Sequence, residues 1–166
     1  ALDYAARGWP VFPCHAHGPK AKSPLIAKGL HAASRDPDQI RSWWGQWPNA
    51  LIGIPTGALV GHWVLDIDCH KGAVGPETLA AWEQEQGPLP ATRSVSTASG
   101  GRHLLFAWPE DGREVLSRVN VAPGIDVRGR GGYVIAPPSR SDQGAWTWVP
   151  GSSVIAVAPD WLLDRV

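Results

Sequence analysis

Glycine and proline interrupt this chain at short intervals, with 19 Gly and 16 Pro among 166 residues. Proline fixes φ and removes a backbone donor, and glycine ends helices and makes tight turns. The chain must therefore fold from short elements joined by many turns. The level stays under the ~25–30% that marks low-complexity sequence, and ten Trp supply large apolar side chains that a disordered chain lacks. With 43% hydrophobic residues, we expect one globular domain spanning residues 1–166, with a core of its own. No apolar run approaches the ~20 residues that span a bilayer, and no segment reads as a signal peptide. Two Cys cannot build a disulfide framework, so a reducing, cytoplasmic setting is expected. The absence of Met, at position 1 as elsewhere, suggests a piece of a longer chain.

Periodicity and caps give the element order. Residues 1–7 read as a short helix ended by Gly8, and residues 15–29 as a loop holding Lys20, Lys22 and Lys28. Asp36 is a helix N-cap, followed by Pro37 at the first helical position and by Gln39 at capping-box spacing. Ile40, Trp43, Trp44 and Trp47 then share one helix face, and Pro48 stops it. Strands are expected over 51–55 and 59–68, the second rich in β-branched and aromatic residues. Pro76–Gln86 reads as a helix closed by Gly87. Two strand–turn–strand units follow, one around Ser99-Gly100-Gly101 and one around Gly129–Gly132. Trp146–Val149 forms a last strand, and Trp161–Val166 starts a last helix. The order predicts a mixed α+β fold rather than a doubly wound parallel sheet.

Four constellations can carry chemistry. Asp66 and Asp68 end an apolar strand and project from one face. Like charges so close are costly unless a cation lies between them, and hard oxygens suit Mg²⁺ or Mn²⁺; a strand end entering a solvated loop is the competing reading. Ser99-Gly100-Gly101-Arg102-His103 lets backbone approach an anion, with two basic side chains beside it, or it is an ordinary hairpin turn. Asp126 and Arg128 share a strand face, as a third carboxylate with a phosphate-binding arginine or as a cross-strand ion pair. Cys14-His15-Ala16-His17 and Cys69-His70 hold zinc-ligand types, but without CxxC spacing they read as ordinary thiols and solvent-facing histidines. Trp146 and Trp148 share a strand face and are candidates for base stacking.

Electrostatics adds a limit. Fifteen Lys and Arg balance fifteen Asp and Glu, whereas proteins that wrap duplex DNA are usually basic. A local patch remains available in Arg113, Arg118, Arg128, Arg130 and Arg140. Within it, Arg130 lies on a Gly-rich turn where it can meet a template phosphate.

Taken in order, the Asp66, His103 and Asp126 motifs resemble motifs I, II and III of the archaeo-eukaryotic primase superfamily. More narrowly, the chain resembles the N-terminal bifunctional primase–polymerase domain of plasmid and phage replication proteins. The stretches Tyr4–Pro13, Trp43–Pro48, Leu51–Gly57 and Gly132–Ser139 extend the likeness over nearly the whole chain. The resemblance implies a primase-type core, with an RRM-like antiparallel sheet and an N-terminal α/β module. It implies template-directed nucleotidyl transfer, as DNA primase and DNA polymerase, with two Mg²⁺ or Mn²⁺ ions on Asp66, Asp68 and Asp126. His103 would contact the nucleotide phosphates, with Ser99, Gly100, Gly101, Arg102 and Arg128 beside it. Implied partners are nucleoside triphosphates, a single-stranded DNA template and a helicase region in the same full-length chain, within a bacterial or archaeal host cell. The family's basic residue after Pro13 does not align uniquely here, Lys20 and Lys22 both being candidates. No Walker A pattern is present. Two other classes use the same residues: a metal-dependent phosphodiesterase or nuclease, and a non-catalytic single-strand binding module.

Overall fold

A computed structural model describes residues 1–70, 72–151 and 153–166. The elements are α1 (Leu2–Ala6), β1 (Phe12–Cys14), α2 (Pro37–Gln46), β2 (Leu51–Pro55), β3 (His62–Ile67), α3 (Gly75–Gln86), β4 (Ser94–Ser96), β5 (Arg102–Ala107), β6 (Arg118–Ala122), β7 (Ile125–Arg128), β8 (Tyr133–Ala136), β9 (Arg140–Ser141), β10 (Gly144–Ala145), β11 (Thr147–Trp148) and α4 (Asp160–Leu163). The expected α+β class is what the chain adopts.

Six strands form one antiparallel sheet in the order β11-β4-β5-β3-β7-β6, and three form a second in the order β1-β2-β8. Within the larger sheet, β3, α3, β4, β5 and β7 follow a β-α-β-β-β path that leaves the first strand central, between the third and the fourth. The family resemblance implied an RRM-like antiparallel sheet, and the strand order β4-β5-β3-β7 agrees with it, although strand β6 rather than a second helix precedes β7. The alternation of side chains along each strand sorts the core into layers. Trp63, Leu65, Ile67, Leu104, Phe106 and Val127 face α3 and α4, where Trp82 and Leu162 meet them. On the other face Val64, Val95 and Leu105 pack against Phe12, Leu51 and Val134 of the smaller sheet. Beyond that sheet, Ile52, Ile54 and Ala136 meet Tyr4 and Ile40 from α1 and α2.

Local chemistry explains most boundaries. The Asp36 carboxylate accepts the Asp38 N–H at 3.0 Å and opens α2, but the capping box does not close. The Asp36 N–H is taken by Ser34 Oγ at 3.0 Å, leaving nothing for Gln39 to accept. The strand expected from Leu59 begins only at His62. Gly57 and Gly61 hold φ of 122° and 75°, and between them Ala58–Val60 turns as a 3₁₀ helix with Leu59 fully exposed.

The second expected strand–turn–strand unit is not a hairpin. β7 lies in the larger sheet and β8 pairs with β2 in the smaller one, so Gly129–Gly132 carries the chain from sheet to sheet. Side chains are excluded there: a Cβ on Gly129 would strike the Val115 carbonyl and one on Gly132 the Ser117 hydroxyl. The hairpin partner of β7, on the edge away from β3, is instead β6, an edge strand the sequence did not announce.

The turn joining β6 to β7 also fixes the end of β3. The Asp68 N–H donates to the Gly124 carbonyl at 2.8 Å, and the Asp68 carbonyl accepts the Gly75 N–H at 3.0 Å. Gly124 has φ of 72°, and a Cβ on it would collide with the Gly75 backbone. Gly124→Ala is expected to lower unfolding free energy by about 2 kcal/mol or more, from left-handed strain plus displacement of Gly75. Gly131→Ala, with φ of 80° and open space around it, should cost only about 1 kcal/mol. Urea titration of both variants checks the contrast; equal losses would mean the close packing of Gly75 and Gly124 is unimportant.

Candidate active site

The register of the larger sheet builds one row across three strands. Asp66 on β3 stands opposite His103 on β5 and opposite Asp126 on β7. The even-numbered side chains of β3 face the smaller sheet, so Asp66 and His103 open into the cleft between the sheets, whereas Asp126, expected as a third metal ligand, is paired with Arg128 and is not among the residues lining it. Asp68, two residues on, continues the same face. The cleft has a volume of about 300 Å³, with Asp66, Asp68, His103 and Arg128 on one wall and Tyr133–Ile135 of β8 on the other.

Arginine holds the acids apart. The Arg128 guanidinium lies 2.7 Å from Asp126 Oδ2 and 3.4 Å from Asp66 Oδ2. The second Asp126 oxygen accepts the Asn120 N–H at 2.8 Å, and Asn120 adopts φ of 53° to aim it. The other Asp66 oxygen is 3.4 Å from His103 Nε2. His103 is 6% exposed, and its Nδ1 has no hydrogen-bond partner among the described residues. Burial pushes the imidazolium down, and the Asp66 charge opposes that shift. Asp68 is held above the usual carboxylate range, first by burial and then by the charges of Asp66 and Asp126, while His70 and Lys22 pull the other way.

Among the described residues, no group of three or more His, Cys, Asp and Glu side chains is gathered so as to hold a metal. Of the three aspartates, Asp126 is the most tightly held, by Arg128 at 2.7 Å and the Asn120 N–H at 2.8 Å, while Asp66 meets Arg128 and His103 at 3.4 Å each. Asp66 and Asp68 remain as two hard-oxygen donors on the cleft wall. That pair fits Mg²⁺, which is commonly held by one or two carboxylates together with substrate phosphates.

The other anticipated residues are distributed unevenly. Ser99 lines the cleft. Gly100 and Gly101 do not; they let the β4–β5 turn press against the end of β3, with Gly101 under the Ile67 carbonyl and Gly100 under Cys69 Sγ. The Gly100 N–H is spent on the Thr97 carbonyl at 3.0 Å. Arg102 neighbours His103 and therefore points to the opposite sheet face, where it lies 3.5 Å from Ser94 Oγ. Arg130 lies on the exposed turn, paired with Glu114 at 2.8 Å. Trp146 is buried between the sheets with one side on the cleft, and Trp148 lies under the Arg93 guanidinium at 4.0 Å. Cys14 is buried in the smaller sheet, where burial pushes its thiol up to about 12, and Cys69 is exposed.

Sequence reasoning missed Thr97, Ser117 and Tyr133, and left Lys22 unassigned; all four line the cleft. Lys22 is placed by the Tyr133 hydroxyl, which donates to its carbonyl at 3.1 Å. A single lysine among three in one loop was the available signal. Ser117 and Tyr133 flank the crossing between sheets, which no local pattern reveals.

A family model described as bifunctional DNA primase/polymerase, N-terminal, matches residues 1–161. No curated protein matches the chain.

The raised Asp68 carboxyl has a thermodynamic consequence. A carboxyl that is less acidic folded than unfolded weakens the fold at high pH, and that cost disappears as pH falls below the ordinary value of about 3.9. Asp68→Asn should therefore raise Tm in EDTA at neutral pH, with the gain shrinking toward pH 4. Thermal melts from pH 4 to 8 check this; a gain constant with pH would rule out charge as the cause.

Proposed function

Since the chain belongs to the bifunctional DNA primase/polymerase family, we propose that its cleft performs template-directed nucleotidyl transfer. A 3′-hydroxyl oxygen attacks the α-phosphorus of a nucleoside triphosphate, its proton is lost to solvent, and pyrophosphate leaves. The observation carrying this reading is that Asp66, Asp68 and His103 line one cleft together with the cations Lys22 and Arg128, with Asp126 in register opposite Asp66.

Each residue has a part consistent with its surroundings. Asp66 and Asp68 would hold Mg²⁺ or Mn²⁺, the ion supplying charge neutralisation at the reacting phosphate and activation of the attacking oxygen. Asp126 orients Arg128, which also reaches Asp66 Oδ2. Arg128 and Lys22 would receive triphosphate oxygens, where positive charge offsets what develops on the leaving group, and His103 would add a hydrogen bond to them. Buried and held near neutrality, His103 can donate through Nε2 without carrying a full charge into the apolar interior. Ser99 and Thr97 add hydroxyls at the same end. The smaller sheet walls the opposite side and limits access of water.

On this reading the partners are nucleoside triphosphates and a single-stranded DNA template. A replication setting of phage or plasmid type, with a helicase region in the full-length chain and a cytoplasmic location, completes the proposal. No helix among the described residues is long and apolar enough to cross a membrane.

The test is incorporation of labelled nucleotide on single-stranded template, with and without primer, in Mg²⁺ and in Mn²⁺. Wild type should extend the primer, and Asp66→Ala or Asp68→Ala should lower incorporation by about 100-fold or more while the protein remains folded. Shortening of the primer would instead identify a phosphodiesterase. His103→Ala should raise the nucleotide KM and lower kcat together, because a phosphate contact acts in ground and transition states alike. Unchanged nucleotide dependence in that variant would make His103 a packing residue only.

A further inference from the structure

Neutral overall, the chain is far from neutral along its length. Residues 4–35 contain five of the fifteen Lys and Arg and none of the fifteen Asp and Glu. Lys20, Lys22, Lys28 and Arg35 all fall between β1 and α2, where three of the four lysines of the chain are gathered.

This segment is built rather than loose. The His15 N–H donates to the Ser23 carbonyl, Lys22 N–H to His15, and Leu25 N–H to Pro13. Val11 and Ser34 exchange both backbone bonds at 2.9 Å. The chain thus returns along the outer edge of β1, with Pro24 beside Cys14 and Ser34 beside Val11. Lys22 and Lys28 hold φ of 72° and 66°, a conformation uncommon outside glycine. Lys22 is further fixed by Tyr133 and by the Trp146 ring, 5.5 Å from its ammonium.

The cations are also unspent. Among the described residues, Lys20, Lys22, Lys28 and Arg35 make no ion pair; Arg41, Arg113, Arg128, Arg130 and Arg165 do, and the remaining unpaired arginines, Arg7, Arg93, Arg102, Arg118 and Arg140, are scattered along the chain. Among the described residues, the one pair involving the segment joins His17 to Asp142 at 2.9 Å. Lys20, Lys28 and Arg35 are exposed, while Lys22 lines the cleft. From Cys14 to Val11 the edge runs about 10 Å at ~3.3 Å per residue. An anion confined to the cleft meets only Lys22 of the four; a chain of phosphates leaving the cleft can meet the others.

We propose that residues 20–35 form the track on which the backbone of a single-stranded DNA template lies, entering the cleft at Lys22. Its order is set before binding, so contact with phosphate does not have to immobilise a loop. The assignment rests on the cleft being a polymerase site, and its test is kept apart from turnover.

The experiment is fluorescence anisotropy of a labelled oligo-dT over a salt series, in EDTA and without nucleotide. It compares wild type, the triple variant Lys20→Gln/Lys28→Gln/Arg35→Gln, and Arg130→Ala, with melts verifying that each is folded. Each lost phosphate contact makes the slope of log K against log salt shallower by about 0.7, so the triple variant should lose about 2. Its binding at low salt should fall at least about tenfold, and Arg130→Ala should leave the slope near wild type. Equal slopes in triple variant and wild type, a loss carried by Arg130→Ala alone, or no binding by wild type would each overturn the track. Track-dependent binding with no incorporation removes the polymerase reading and leaves the track standing; incorporation with track-independent binding does the reverse.

Discussion

Everything in this structure hangs on β3 being paired on both sides. With β5 along its whole length on one edge and β7 along Val64–Ile67 on the other, its backbone is bonded on both sides where Asp66 sits, and its side chains are free to do opposite jobs on opposite faces. Trp63, Leu65 and Ile67 are sealed under the helices, and such burial contributes about 1.5–3 kcal/mol for each large apolar side chain. The alternate positions bear Asp66, and Asp68 just beyond the strand end. A strand anchored this firmly can tolerate acidic groups crowded on its other face, a tension eased here by Arg128.

That arrangement explains what could be foreseen and what could not. Asp66 and Asp68 were legible because the period of a strand is two, and an apolar run preceded them. The hairpin at Ser99–Gly101 was legible from its turn glycines. His103 opposite Asp66 was different: only register puts them together, and register is a long-range property. The motif likeness supplied the grouping that spacing alone could not. Arg102 shows the limit of neighbourhood in sequence, since one step along a strand moves a side chain to the other face.

Other failures have equally specific causes. β6 carries Arg118, Val119 and Asn120 exposed at a sheet edge, with no buried face to impose a pattern. Leu59 looked like a strand residue because it is apolar, but two left-handed glycines bend its segment away from the sheet. The Gly129–Gly132 stretch has the composition of a hairpin turn, yet its glycines are there for close packing against Val115 and Ser117. Composition reports that a chain can bend; it does not report which sheet receives it next.

The crossing at Gly129–Gly132 has a mechanical side. The strand before it bears Arg128 on one wall of the cleft, and the strand after it begins with Tyr133 on the other. Four residues therefore act as the bow of a calliper, and their length sets the gap between the jaws. The bow is also tied to the slot it spans, since Gly129 exchanges bonds with the Ser117 hydroxyl that lines the cleft. A residue added there would move the jaws and that hydroxyl together, so the width of the slot and its polar lining are one variable rather than two.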